Sequence, residues 1–365
     1  MEQTVLILGG YGKAGSYIAE LLLSNTNVKI IIAGRNLNKA KIETRKLNNK
    51  FYENRVSALK VDAGNFQDLK NAFKLCDLVI VSFPYKNGQE KLVIKSAVEA
   101  GINYIDLNAD TDKYQVLREY SEKIEEQSLI FLTGAGIIPG CPAMLSHLIG
   151  NYYDSIEKIK ISSLYRDKNI PSGGVYDIMS HAGKSAFTYR KGAWEKSSSF
   201  MIDRLNFHDK FKSRIGVPIY LLELEEIPKK FNLRELEAYQ AGINPFVDGL
   251  YFIWKVLNLS HFESTLNLGV NLFSWGNEKF TNPPFGLALK IEAIGEKKGV
   301  VEESSILLEH TDMYLATAIP VVAAVLQIFK GNVEVGSNFM GHVVASRDYL
   351  KVLKDLGMKV TTKNY

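Results

Sequence analysis

The residues with a chemical role written into their spacing begin at a glycine-rich elbow. Gly10, Gly12 and Gly15 form a G-x-G-x-x-G within Gly9-Gly10-Tyr11-Gly12-Lys13-Ala14-Gly15, directly after the apolar run 4–8. That spacing suits a turn wrapped around a pyrophosphate: Gly10 takes the tight turn, Gly12 lets the backbone reach the anion, and Gly15 lets helix and strand approach closely. The N–H groups of Lys13 and Ala14, at the start of the next helix-patterned stretch, would face the anion, with Tyr11 beside them. A chain with 28 glycines in 365 residues produces such spacings in ordinary turns too, so the motif gains meaning only from what surrounds it.

A second group follows the next apolar run, at Gly34-Arg35-Asn36. A site for NAD(H) normally has an Asp or Glu here, which takes the ribose hydroxyls and repels a 2′-phosphate. A glycine followed by a guanidinium leaves room for that phosphate and offers charge-assisted, bidentate hydrogen bonds, so the coenzyme expected is NADP(H). The competing reading is that Arg35 is an ordinary solvated arginine. Lys39 adds charge one turn later, in a stretch rich in Lys and Arg.

Further along, Asp62-Ala63 follows a third apolar run and Ser82-Phe83-Pro84-Tyr85 a fourth. Asp62 is placed either to accept from an adenine amino group or to bond a neighbouring backbone amide. Ser82, Phe83 and Pro84 lie where the chain would run beside the second half of the coenzyme. Gly136, in the loop Gly134-Ala135-Gly136-Ile137-Ile138-Pro139-Gly140, would let backbone approach the nicotinamide, although punctuation alone also explains glycine and proline in loops. For acid–base work the candidates are Tyr85, Asp106, Tyr176, Asp177, His181 and Lys184, of which Asp177, His181 and Lys184 share helical spacing. Arg166 and Arg190 are the candidate clamps for substrate carboxylates, with surface ion pairs as the competing role.

Elements must hold these groups in place. Strand-like runs at 4–8, 28–33, 56–61, 78–82, 103–107 and 129–132 alternate with helix-patterned stretches at about 13–24, 38–48, 66–73, 88–100 and 111–127. Asn65 and Thr111 read as N-caps, and Gly101 closes a helix. Alternation of this kind predicts an α/β domain of Rossmann type, a doubly wound parallel sheet with ligands at the carboxyl ends of its strands. It is assigned to residues 1–140, with 311–365 returning to it. Residues 141–310 are expected to form an α+β domain for substrate and dimerisation, with a mixed or antiparallel sheet: 158–165 alternates, and 287–294 with 300–308 reads as a hairpin turning at Gly299.

These residues resemble the saccharopine dehydrogenase family. The resemblance rests on the Gly9–Gly15 elbow, Ala33-Gly34-Arg35, Val61-Asp62-Ala63, Asp77-Leu78-Val79-Ile80 with Pro84-Tyr85, Ala97-Val98-Glu99-Ala100-Gly101-Ile102-Asn103-Tyr104-Ile105-Asp106, and Gly134-Ala135-Gly136 with Pro139-Gly140. It is specific over the first 145 residues or so and thins beyond, to Gly173-Gly174, Tyr189-Arg190-Lys191-Gly192 and Glu309-His310-Thr311-Asp312-Met313-Tyr314. The resemblance implies an NADP-linked oxidoreductase that makes or breaks a C–N bond through an imine of an amino-acid-like substrate.

Composition narrows the other classes. With 44 basic and 40 acidic residues the net charge is +4 and dispersed, too mild for a dedicated nucleic-acid binder. Cys76 and Cys141 lack zinc spacing, and the six histidines show no metal-binding pattern, so no metal is expected. The apolar stretches 314–329 and 246–259 are too short to cross a bilayer, Pro320 interrupts the first, and no leader segment is expected, which makes cytoplasm the default. A short-chain dehydrogenase would need its Tyr-x-x-x-Lys beside the coenzyme, but Tyr251 to Lys255 falls far past the predicted sheet. The remaining alternative is an NADP(H)-binding regulator, or a lipid-associated relative, without turnover. A homodimer and a small-molecule substrate complete the expectation.

Overall fold

The computed structural model describes residues 3–52, 54–85, 88–108, 111–182, 185–198 and 201–365, without the side chains of Thr111, Asp112, Lys113, Asp177, His181, His208 and Asp209. The chain divides into two compact units, one formed by 1–144 and 314–357, the other by 145–313 and 358–365.

In the first unit, six strands alternate with helices along the chain: β1 (Thr4–Leu8), α1 (Lys13–Asn25), β2 (Lys29–Gly34), α2 (Leu37–Phe51), β3 (Val56–Lys60), α3 (Phe66–Phe73), β4 (Leu78–Val81), α4 (Gln89–Ala100), β5 (Asn103–Asp106), α5 (Thr111–Glu119), α6 (Ser121–Glu126) and β6 (Ile130–Thr133). β1, β2 and β4 are almost wholly apolar and buried, as strands covered by helices on both faces must be. α7 (Cys141–Gly150) leads out of this unit.

The second unit contains β7 (Ser155–Arg166), α8 (Ser172–His181), β8 (Phe187–Arg190), β9 (Ala193–Lys196), β10 (Asp203–Asn206), α9 (His208–Phe211), β11 (Ser213–Pro218), α10 (Ile227–Phe231), β12 (Glu235–Ala241), α11 (Pro245–Val256), α12 (Glu263–Phe280), β13 (Gly286–Lys297) and β14 (Val300–His310). The chain then enters α13 (Met313–Phe329), β15 (Gly336–Phe339), α14 (Met340–Val343), α15 (Arg347–Asp355) and β16 (Lys359–Lys363).

The first sheet runs β15-β6-β5-β4-β1-β2-β3, all parallel. The chain reverses at β1, where strands on either side leave a crevice beyond their carboxyl ends. Caps fix several helix starts: Asn36 accepts from the Lys39 N–H at 3.0 Å and Asn65 from those of Gln67 and Asp68. Gly101 ends α4 in the left-handed region.

Three details depart from the sequence reading. The stretch 111–127 is two helices broken at Tyr120, not one. β15, which reads as neither a long apolar run nor an alternating one, adds a seventh parallel strand against β6. The last strand, β16, pairs antiparallel with β14 in the second sheet, so residues 358–365 leave the first unit.

The second sheet is mixed, in the order β10-β11-β12-β7-β13-β14-β16, with β8 and β9 attached beside β12. β7 and β12 are its parallel pair. The β13–β14 hairpin turns on Lys298 and Gly299, both at positive φ, which is the backbone a two-residue hairpin loop requires.

The apolar stretch 314–329 forms most of α13, a helix of the first unit buried along most of its length. Tyr349 donates to the Pro320 carbonyl at 2.8 Å, giving that interior proline a partner from α15. Among the described residues no helix is long and apolar enough to cross a membrane.

Candidate functional site

The elbow between β1 and α1 is held by backbone alone. The Gly9 N–H donates to Ala33 at 2.8 Å, that of Gly10 to Ile7 at 3.1 Å, and that of Gly12 to Gly9 at 2.8 Å. The residue with positive φ is Gly9, at +81°, so the tight turn assigned to Gly10 belongs one residue earlier. Gly10 instead lies close beneath the Ile7 carbonyl and the Ile32 side chain. Gly15 is where helix and strand meet: a Cβ there would lie 2.6 Å from the Gly9 carbonyl oxygen and 2.8 Å from the Gly10 Cα. Gly12 caps α1, a 13-residue helix, without a side-chain hydrogen bond to its first turn. Lys13 extends over the Tyr314 ring, 4.5 Å from its centre.

A cleft of about 840 Å³ opens beside this elbow, lined by Tyr11, Arg35, Asn36, Leu37, Asn38, Lys39 and Lys60. Tyr11 shapes it. Its hydroxyl accepts from the Asn36 N–H at 3.3 Å, and its ring lies so close to Gly34 that any Cβ there would approach within 2.6 Å. Gly34 is therefore needed for the aromatic wall as much as for room at the strand end. Three exposed cations, Arg35, Lys39 and Lys60, face this cleft with no carboxylate among its lining residues. Lys60 is absent from the sequence reading. It joins the group because the parallel register of β2 and β3 sets Gly34 beside Lys60, which spacing along the chain does not reveal.

The other residues of the strand ends are engaged locally. Asp62 takes the second of its two readings, accepting from the Gly64 N–H at 2.9 Å in a turn. Ala63 is buried. Ser82 donates to the Leu8 carbonyl at 3.0 Å, tying β4 to β1 beneath the elbow, and Phe83 packs against Gly9. Pro84 is exposed. Gly136 donates to the Pro139 carbonyl at 3.0 Å inside a closed loop with a cis Ile138–Pro139 bond.

Tyr85 and Asp106, both acid–base candidates, are joined through Tyr104. Tyr104 donates to Asp106 Oδ2 at 2.6 Å, which commits its one proton, so Tyr85 donates to the Tyr104 hydroxyl at 2.7 Å. Asp106 has 0 % exposure and also accepts from the Asn108 N–H at 2.8 Å and the Thr133 hydroxyl at 3.2 Å. Burial, with the Asp106 charge next, pushes both tyrosine hydroxyls well above their usual range. This chain braces β5 against the β4 loop. Its polar atoms bond one another, a poor position from which to exchange protons with a substrate.

In the second unit, Arg190 ion-pairs with the buried Glu237. Arg166, the last residue of β7, is 5 % exposed, and neither a hydrogen bond nor a salt bridge joins its guanidinium to any described residue. Asp177 and His181 belong to α8, but their side chains lie outside the described residues, as does Lys184 entirely. Tyr251 and Lys255 fall on α11 of the second unit, away from the glycine elbow in the chain. Among the described residues no cluster of His, Cys, Asp or Glu could hold a metal ion.

The first unit is thus a dinucleotide-binding domain, defined by its strand order and its side-chain-free elbow. Residues 5–132 match the family model of the saccharopine dehydrogenase NADP binding domain and belong to that family of domains. The coenzyme of the chain is NADP(H), and the cationic cleft fits its extra phosphate. Across both units the fold is similar to that of apo saccharopine dehydrogenase (L-Glu forming) from Saccharomyces cerevisiae, with a TM-score of 0.72 at 14 % identity, covering 99 % of this chain and all of that one. A looser likeness, with a TM-score of 0.48 at 13 % identity, links it to a myo-inositol dehydrogenase from Corynebacterium glutamicum over the full length of both chains.

Proposed function

We propose that the chain is an NADP(H)-dependent dehydrogenase or reductase acting on the carbon of an amino-acid-like secondary amine or imine. The observation that carries the reading is the cleft at the end of β2, where Arg35, Lys39 and Lys60 surround a position at which NAD(H) sites normally carry an acid. Bound coenzyme supplies the hydride. The chain's own residues do the holding: the glycine elbow with Gly10, Gly12, Lys13 and Ala14 at the start of α1 for the pyrophosphate, and Gly34, Arg35 and Asn36 with Tyr11 for the adenosine end. Ser82, Phe83, Pro84 and Gly136 shape the crevice toward the nicotinamide, while Asp62 and Ala63 close it near the adenine.

The second unit is taken as the substrate domain. Tyr85 and Asp106 support the coenzyme crevice through their shared hydrogen bonds, so the acid–base group is sought among Asp177, His181 and Lys184. A homodimer in the cytoplasm belongs to the same reading. The test is a fluorescence titration with NADPH and NADH, followed by hydride transfer across a panel of amines with keto acids. NADPH binding at least about tenfold tighter than NADH, with oxidation on adding one amine–keto acid pair, is expected. Tighter NADH would overturn the reading of Arg35, and tight NADPH binding without turnover on any pair would return the regulator in its place.

A further inference from the structure

A guanidinium at the carboxyl end of β7 has no partner. Arg166 is 5 % exposed, its Nε is shielded from solvent without an acceptor, and no described residue bonds or ion-pairs with the guanidinium. Proteins bury arginine with a carboxylate, a carbonyl or a ligand, because a desolvated and unbalanced charge is among the costliest things a fold can hold. Arg190 and Lys290 follow that rule in the same unit: Arg190 meets Glu237, and the buried Lys290 donates to the Asn206 carbonyl at 3.1 Å and pairs with Glu292. Arg166 departs from it.

Its electrostatic neighbours sharpen the contrast. Arg214, on β11, acts against its charge, while Asp248, in the first turn of α11, acts with it. Asp248 is itself committed, accepting from the Ile243 N–H at 2.8 Å, and Arg214 uses its Nε on the Phe211 carbonyl at 3.1 Å. Neither neighbour supplies the Arg166 guanidinium with a hydrogen bond or an ion pair.

We infer that Arg166, flanked by Arg214 and Asp248, is a binding site for one carboxylate group of the substrate. The geometry of the guanidinium favours a carboxylate over other anions. The edge of a guanidinium that includes Nε matches two coplanar oxygens. The inference deepens the proposed function, since it presumes a substrate with a carboxylate, yet it can be tested without coenzyme or turnover.

The experiment uses the full chain, with glutarate and L-glutamate as probes and orthophosphate and chloride as comparators, read by calorimetry and thermal shift. The wild type should bind glutarate or glutamate and be stabilised by it. Arg166→Met should weaken that binding by at least about tenfold and, by removing an unbalanced charge, raise the melting temperature of the ligand-free protein. A purely structural arginine predicts the opposite shift. Arg234→Met, which removes an exposed arginine paired with Glu157, should leave the response intact. If Arg166→Met does not fold, Arg166→Lys decides: weakened carboxylate binding with unchanged NADPH affinity supports the site. Unchanged carboxylate binding in either variant, preference for orthophosphate, or no carboxylate binding by protein that binds NADPH normally overturns it. Carboxylate binding lost with Arg166, in a protein that transfers hydride to no amine or imine, would leave the site standing and end the dehydrogenase reading instead.

Discussion

At the scale of single residues, coenzyme choice is set by charge and shape together at the end of β2. Arg35 offers a guanidinium fork, Lys60 a compact ammonium, and Tyr11 the wall above Gly34. Charge-assisted hydrogen bonds contribute about 1.5–3 kcal/mol each. Arg35→Ser should therefore weaken NADPH binding by roughly 10- to 100-fold, as fluorescence titration would show, while NADH, lacking the phosphate, changes little. Lys60→Ala should cost less, about 3- to 10-fold, with a penalty that shrinks as salt rises because the residue is exposed. Equal losses for both coenzymes would mean that neither cation meets the phosphate. Arg35 was legible in the sequence because it directly follows an apolar strand and a glycine. Lys60 was not, since its place depends on strand register. Asp106, an aspartate at a strand end, accepts from Tyr104, Thr133 and the Asn108 backbone, partners that spacing along the chain does not show.

At the scale of elements, the elbow separates a packing role from a binding role within one motif. A Cβ on Gly15 would press into the Gly9 carbonyl and the Gly10 Cα, backbone atoms that cannot yield, whereas a Cβ on Gly12 meets only the Gly9 oxygen, at 3.1 Å. Gly15→Ala should overpack the strand–helix contact at a cost of about 1–3 kcal/mol, seen as a lower melting temperature. Gly12→Ala should lower the melting temperature less than Gly15→Ala but weaken NADPH by at least about tenfold, because the methyl group stands where the diphosphate must approach. Equal melting temperatures for the two variants would sink this division of labour. The alternation of apolar strands and helices made the first sheet readable nearly strand for strand. Residues 194–284 resisted because short strands such as β10 and β11 carry charged and apolar residues without clean alternation, and their faces are decided by the sheet they join. β15 was hidden for a similar reason: Gly336-Ser337-Asn338-Phe339 has little strand propensity and is held by its ladder with β6.

At the scale of the whole molecule, both units bury phenols and one buries two thiols, which makes alkaline pH the natural solvent probe of the fold. Tyr104 and Tyr349 lie fully inside the first unit and Tyr239 inside the second. Burial raises the pKa of all three, and it pushes the Cys76 thiol up to about 12. For an acid whose pKa is higher in the folded state, the unfolded chain releases its proton first. Between the unfolded and folded values the native state then holds more protons, so stability falls as pH rises. The unfolded references are about 8.5 for cysteine and 10 for tyrosine, which leaves stability insensitive to these groups at neutral pH and eroding from about pH 9 upward. Tyrosinate absorbance from these buried hydroxyls should therefore rise only as the fold is lost. The absorbance step due to Tyr104, Tyr239 and Tyr349 should coincide with loss of secondary structure in the circular dichroism. Cys76 and Cys141, both buried, should react with a thiol reagent at neutral pH only after denaturant is added. A single tyrosine transition near pH 10 with native circular dichroism throughout would show that these hydroxyls ionise without unfolding, and the internal packing of Tyr104, Tyr239 and Tyr349 would have to be redrawn.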